Sequence, residues 1–454
     1  MVYLATMIRR VPFVSLFAVL TALSLFAAAC SSHSSATLAS ETGSEETSEV
    51  ATTVTASIQA PLATDIEPEP FEDDPIEQVE PEVARLDAVS VELEEALIAW
   101  QADNGAPAVS LSVRLPGEEP INIASGVTNI VTEDPVSTTD YFRIGSITKP
   151  MTAAVVLQLV DEGLIELDVP VRTYLPDWLE GSQYGDEITI RQLMDHTSGL
   201  KEYALDPVFY AFAGKRLETP IEPEETISWL ATQEPLFAPG DDYSYETGGF
   251  LSLGRVIETV TGNSAAAEMR ARIFEPSGAE NIYLTPQEFP PEITVHGYGR
   301  GLMYLVATTI IGREDTEGLM INGEPVVAIH SLPQELLQSS GWTGGGNEAQ
   351  MESVSAVFRA MFDGTILNDE LITQMTTPVL DVNYGLGISN DDVDGVTVFF
   401  HGGGVPGFRS QAGYLPDYDV SYAVSSNLIT LPKGAGVGDL QRQIVPILAA
   451  ALDS

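Results

Sequence analysis

The chain has 454 residues, 44% of them hydrophobic and 19% charged, enough for two average domains or one large one with a sizeable core. Its formal net charge of −46, from 66 acidic and 20 basic side chains, repels nucleic acid and anionic lipid headgroups alike, so neither is an expected partner. A single cysteine, Cys30, excludes any disulfide within the chain.

The N-terminus reads as an export leader. Arg9 and Arg10 precede an apolar run from Val11 to Ala29, and "LFAAAC" ends on Cys30. Small residues directly before that cysteine resemble the lipobox of bacterial lipoproteins, although Ala27 stands where that pattern usually has leucine. The expected arrangement is a leader over 1–29 and a lipid on Cys30. The remainder then lies on the cell surface or the periplasmic side of the membrane. A plain signal peptide and an uncleaved apolar anchor are the other readings. From 30 to 85 the sequence is acidic and rich in Ser, Thr and Pro ("SETGSEETSEV", "DIEPEPFEDDPIEQVEPE"), a composition that stays extended and forms no core. It reads as a tether, with a partner-binding tail as the alternative.

Order is expected from about Asp87, in a domain spanning 86–454. Val89, Leu93, Leu97 and Trp100 fall at helical spacing, and Gly105 follows. "AVSLSVRL" and "INIASGVTN", parted by "PGEEP", predict a hairpin. "MTAAVVLQLVDEGLI" predicts a helix after Lys149. Residues 165–361 read as mainly helical, with irregular Pro- and Gly-rich stretches around 286–301. Strands return in "VTVFFHG", "RSQAGYLP" and "VSYAVSSNL", and a last amphipathic helix covers about 438–452. The fold class is α+β: an antiparallel sheet built from both ends of the domain (about 86–164 and 362–454), flanked by helices, with a helical insert at 165–361.

The chain holds four lysines, Lys149, Lys201, Lys215 and Lys433, and two of them follow a serine at i−3. In "FRIGSITKP", Ser146 and Lys149 can share a helix face. Pro150 places Ser146 at the opening turn, because a proline ring deeper in a helix clashes with the carbonyl four residues back. There the helix dipole and partial burial disfavour an ammonium and favour an alkoxide, so the amine can take the hydroxyl's proton. Ser198 and Lys201 repeat the spacing beside Gly199, a helix C-cap signal. At that end the dipole favours the ammonium, so the pair reads as a decoy. A capping serine and an exposed lysine are the bland alternative for either pair.

Two further stretches stand in order behind the first pair: "YSYETGG", with Tyr245, and "FFHGGGVPGF", with His401 after a strand. Together with "FRIGSITKP", "LVDEGLIELDVPVRTYLPDW", "TIRQLMDHTSGL" and "YGLGI", they resemble the β-lactamase-related serine hydrolases. That group spans class C β-lactamases, serine D-alanyl-D-alanine carboxypeptidases and related esterases. The resemblance covers about 87–452. It implies Ser146 as nucleophile, Lys149 as its general base and Tyr245 as the proton-relaying phenol. His401, Gly402 and Gly403 would form the strand edge that pairs with substrate, and the Ser146 and Gly404 amides the oxyanion hole. One position departs. The family's Tyr-x-Asn is here Tyr245-Glu246-Thr247, and a threonine hydroxyl offers one donor where an amide offers two. Penicillin and D-Ala-D-Ala recognition are therefore less secure than acyl-enzyme chemistry itself. The expected activity is carboxypeptidase-like or esterase-like, on a D-Ala-D-Ala-type amide, a differently decorated amide or an ester, with β-lactamase activity as the alternative.

Rival chemistries lack their signatures. No G-x-S-x-G stretch marks a Ser-His-Asp hydrolase, and His196, His296, His330 and His401 show no zinc spacing. No metal or cofactor is expected. His196 reads as structural, and "GGGNE" from Gly344 lacks the residues of a phosphate loop. The implied substrate is a small molecule or a peptidoglycan peptide. The rival class is a non-catalytic cell-wall-binding lipoprotein on the same scaffold.

Overall fold

A computed structural model describes residues 81–453 apart from 205, 207–208, 210–218, 302, 305–317, 332–333 and 432–436. Cys30, the leader and nearly all of the tether lie outside the described residues.

Helix α1 spans Pro81–Asn104. It begins ahead of the expected start at Asp87, because a proline suits the first turn, where its missing N–H has no partner to lose. Strands β1 (Ala108–Arg114) and β2 (Ile121–Gly126) form the expected hairpin. Helix α2 covers Thr148–Asp161, α3 Gly248–Thr261 and α4 Met351–Phe362. The C-terminal part adds β3 (Ser389–Val393), β4 (Val396–Val405), β5 (Phe408–Leu415) and β6 (Val420–Ser426), then α5 (Val437–Asp453).

These six strands make one antiparallel sheet in the order β2-β1-β6-β5-β4-β3. The two ends of the domain meet where β1 pairs with β6, Val109 opposite Ser426 and Val113 opposite Tyr422. Alternation along β1 assigns its two faces. Val109, Leu111 and Val113 turn to α1 and α5, joining Leu93, Leu97, Leu440, Ile444 and Leu448 in a buried cluster. Ser112 turns the other way and shares a 2.9 Å hydrogen bond with Ser355 on α4. A second, larger core encloses α2 and α3 and includes Met151, Val155, Leu159, Phe250 and Leu253. Full burial of side chains of this size stabilises by about 1.5–3 kcal/mol each.

The middle of the chain is less purely helical than its composition suggests. Phe142–Arg143, Ile282–Leu284 and Asn347–Ala349 form a three-stranded sheet, and Tyr298–Gly301, Met320–Ile321, Glu324–Ala328 and Leu428–Leu431 a four-stranded one. Strands of two to five residues are too short for an alternating pattern to show. The β4–β3 ladder stops at Phe400, opposite Ser389. From His401 onward that edge of β4 has no strand beside it among the described residues.

Candidate active site

Ser146 sits in a 3-10 turn, Gly145–Ile147, that runs directly into α2. Gly145 makes the turn possible. Its φ is +55°, and a methyl group there would lie 2.8 Å from the Gly404 nitrogen, so only glycine lets the serine turn and the β4 edge meet. The Thr148 hydroxyl donates to the Gly145 carbonyl at 2.8 Å and fixes the turn from the other side.

Lys149, one turn on, is fully buried. Its Nζ lies 3.2 Å from Ser146 Oγ, 3.4 Å from Thr247 Oγ1 and 2.8 Å from the Gly344 carbonyl oxygen. The Tyr245 ring centroid is 4.8 Å from the same nitrogen, and the Phe250 ring 5.4 Å. Tyr245 reaches the site because it enters just ahead of α3, two residues before Thr247 at the helix boundary. Thr247 Oγ1 donates to a carboxylate oxygen of Glu202 at 2.9 Å, and the other oxygen accepts the Ala204 N–H at 2.7 Å. Burial pushes the Glu202 carboxyl above its ordinary range, opposed by the Ala204 amide and by Lys149. Glu246, between Tyr245 and Thr247, is buried too. One of its oxygens accepts the Gly249 N–H at 2.7 Å, and burial raises its pKa to about 8.

β4 brings His401, Gly402, Gly403 and Gly404 alongside. A methyl group on Gly403 would stand 1.9 Å from the Ile144 carbonyl oxygen, so strand and serine turn are in contact here as well. His401 is buried with its ring 6.1 Å from that of Tyr245. Desolvation, and then Lys149, lower its pKa to about 3, so the imidazole is neutral. Ser146, Lys149, Tyr245, Thr247 and the 401–404 edge thus converge from segments far apart in sequence.

The decoy pair lies elsewhere in chemical terms. Lys201 is partly exposed and pairs with Asp206 at 2.5 Å, while Ser198 Oγ accepts the Leu200 N–H. Gly199 does not close the preceding helix: Ile190–Met194 ends at Asp195, and His196, with φ +61°, is the left-handed residue after it. Asp206 is thus what compensates the Lys201 charge, in place of the helix end expected from sequence.

Four contributors escaped the sequence reading. Gly344 gives a backbone carbonyl to Lys149, and a methyl group on it would meet Thr247 Cγ2 at 2.7 Å. Its only signal was the glycine run. Glu202 follows "HTSGLK" without a motif of its own. His196 and Tyr384 are buried beside Tyr245, with the His196 ring 4.4 Å and the Tyr384 ring 6.3 Å from it. Both stand in stretches that were legible only as supporting ones. Among the described residues, no group of three or more His, Cys, Asp or Glu side chains is placed to hold a metal ion.

Known proteins resemble this chain in sequence and in fold. The model of the Beta-lactamase family matches residues 91–444. A D-aminopeptidase of Gluconobacter oxydans is 27% identical over 81% of this chain and 63% of its own length. Esterase EstB of Burkholderia gladioli is 32% identical over 45% of this chain and 53% of its own. The match thus spans between half and two-thirds of the length of these curated relatives. Among solved structures, a D-stereospecific amidohydrolase from Streptomyces superposes with a TM-score of 0.62 at 28% identity, over 75% of this chain and 94% of that one. The D-amino acid amidase of Ochrobactrum anthropi SV3 superposes with a TM-score of 0.67 at 22% identity, over 80% and 99%, a likeness of fold. On the family match across most of its length, and on the fold it shares with these structures, the chain belongs to the Beta-lactamase family.

Proposed function

We propose that the chain is a serine hydrolase that opens an amide or ester through an acyl-enzyme on Ser146. The observation that carries this reading is the environment of Lys149. As an ammonium, its Nζ donates to Gly344 O, Thr247 Oγ1 and Ser146 Oγ together. With one proton gone, two donors remain for Gly344 and Thr247, and the lone pair faces the Ser146 hydroxyl, which then donates. Ser146 attacks the carbonyl, its proton passes to Lys149, and Tyr245 hands a proton to the leaving group. The N–H groups of Ser146 and Gly404 receive the oxyanion. Water releases the acid by the reverse route.

Thr247 and Glu202 favour one substrate class. The only hydroxyl proton of Thr247 goes to Glu202, so nothing at this position donates to an acylamide oxygen such as that of a penicillin side chain. The site offers a carboxyl acceptor instead, suited to an amine next to the scissile carbonyl. Relatives named D-aminopeptidase and D-amino acid amidase support a D-amino-acid amide or peptide, and the esterase relative supports simple esters as surrogates. Export and lipid attachment at Cys30 belong to the same proposal, resting on Arg9, Arg10 and the apolar run before the cysteine.

The test is intact-mass detection of an adduct on Ser146. The panel comprises D-amino-acid amides, D-Ala-D-Ala peptides, nitrophenyl esters and a fluorescent penicillin, with Ser146→Ala as control. Turnover or an adduct that vanishes in the control supports the reading. An inert wild-type protein would favour the binding scaffold.

A further inference from the structure

Behind the β4 edge runs a line of hydrogen bonds that the acyl transfer itself does not use. His401 Nδ1 lies 2.7 Å from the Gly402 carbonyl oxygen. A carbonyl can only accept, so Nδ1 carries the hydrogen and Nε2 the lone pair. Tyr384 Oη, 3.0 Å from that Nε2, must donate to it. The same oxygen is 3.1 Å from His196 Nε2, which therefore carries a hydrogen. His196 Nδ1 is left as an acceptor, and it faces the Glu246 backbone N–H at 3.4 Å. An amide at one end and a carbonyl at the other determine every proton between them.

We infer that Tyr384 and His196 are positioning residues that hold His401 in its Nδ1–H tautomer and so pin the Gly402 carbonyl on the edge where the substrate lies. The inference rests on the hydrolase reading for its functional meaning only. β5 pairs with Gly402–Val405 on one side, but the opposite, substrate-facing side has no strand among the described residues to restrain it. Gly402, Gly403 and Gly404 have no side chains to pack, glycine backbone is freer than any other, and β3 stops pairing at Phe400. Gly402 in particular has no heavy atom within 4 Å of where a methyl group would stand. The three side chains are all buried. The groups facing them are Lys149, Glu246, Tyr243, Tyr245 and Asp195. Burial keeps both imidazoles neutral and the Tyr384 phenol protonated, so the line holds one arrangement across the working pH range.

Nitrogen-15 histidine spectra of the full protein at pH 7 test the tautomers without any substrate. The His401 resonance, assigned by its loss in His401→Asn, is expected in the Nδ1–H pattern, and that of His196, assigned from His196→Asn, in the Nε2–H pattern. An Nε2–H or doubly protonated His401 overturns the inference, whatever the protein hydrolyses. Tyr384→Phe keeps the ring and removes one hydroxyl. It is expected to mix the His401 tautomers and to lower kcat on a nitrophenyl ester about ten- to a hundred-fold, with KM little changed. An unchanged tautomer, or kcat within about two-fold of wild type, overturns it as well. His401→Asn keeps an N–H in the place of Nδ1 and should retain at least about tenfold more activity than His401→Ala. A wild-type protein with no turnover sinks the hydrolase reading, and the spectra then decide the inference alone.

Discussion

Ser146–Lys149 and Ser198–Lys201 share a spacing and an aromatic ring near the amine, but their surroundings differ otherwise. The first lysine is buried among two hydroxyls, a carbonyl and two aromatic faces; the second is 40% exposed, over the Trp229 ring and against a carboxylate 2.5 Å away. The first serine opens a 14-residue helix against a glycine edge, whereas the second accepts a local N–H in a turn. The lesson is that a three-residue spacing only permits contact. Burial, and whether the neighbours of the nitrogen are dipoles or a full negative charge, decide whether the amine can become a base.

Removing the two lysines in turn gives the widest contrast. Lys149→Ala should lower kcat on an ester by about 10²- to 10⁴-fold, the usual value of a positioned base. Lys201→Ala should leave it within about two-fold, because no reacting atom lies near that amine. Equal losses would erase the distinction between the two sites.

Glu246 sharpens the contrast through stability. Its pKa is near 8 in the fold, raised by burial from an ordinary value of 4.5. A raised folded-state pKa means that the native state holds the proton more tightly than the unfolded chain. The associated stability is therefore complete below about pH 4.5 and is lost as pH rises through 8. The loss by pH 9 is about 3–5 kcal/mol. Glu246→Gln imitates the protonated acid, so denaturation of the variant should lack this decline between pH 5 and 9. Parallel curves for the two proteins would contradict the assignment.

Thr247→Asn probes the departure from the family's usual motif. The amide brings a second donor, so labelling by a fluorescent penicillin should quicken about tenfold, the effect of one hydrogen bond to the bound acyl group. A slower reaction would mean that Glu202 takes both donors. The decoy region should show the smallest effect. Asp206→Asn, at a pair whose lysine is 40% and whose carboxylate is 8% exposed, should cost about 1 kcal/mol, the upper end for an exposed pair, and less at high salt.

The hairpin and the helix after Lys149 were legible because each is an unbroken apolar-rich run, of seven and six residues in the two strands and 14 in the helix. Helix α1 started early because a proline-led first turn looks like the linker before it. The small strands around 282–349 are too short to have a period. In the site, Ser146, Lys149, Tyr245 and His401 stood in recognisable stretches. Glu202, Gly344 and Tyr384 act through one carboxyl, one carbonyl and one hydroxyl whose neighbours come from remote segments, so their surroundings exist only after folding. His196 belonged to a visible stretch, but its bond to Tyr384 spans 188 residues and leaves no local trace.

The pairing of β1 with β6 has a consequence for how the protein comes into being. Ser146 and Lys149 are synthesised early, but the glycine edge to which the proposed mechanism gives the oxyanion arrives with the closing strands, and the sheet that carries it is sealed by the first and last of them. Contacts of such long range form slowly. On that mechanism, a ribosome-bound chain would hold a serine with nothing to accept the charge it creates, and chemistry would begin only when the end of the polypeptide folds back onto its beginning.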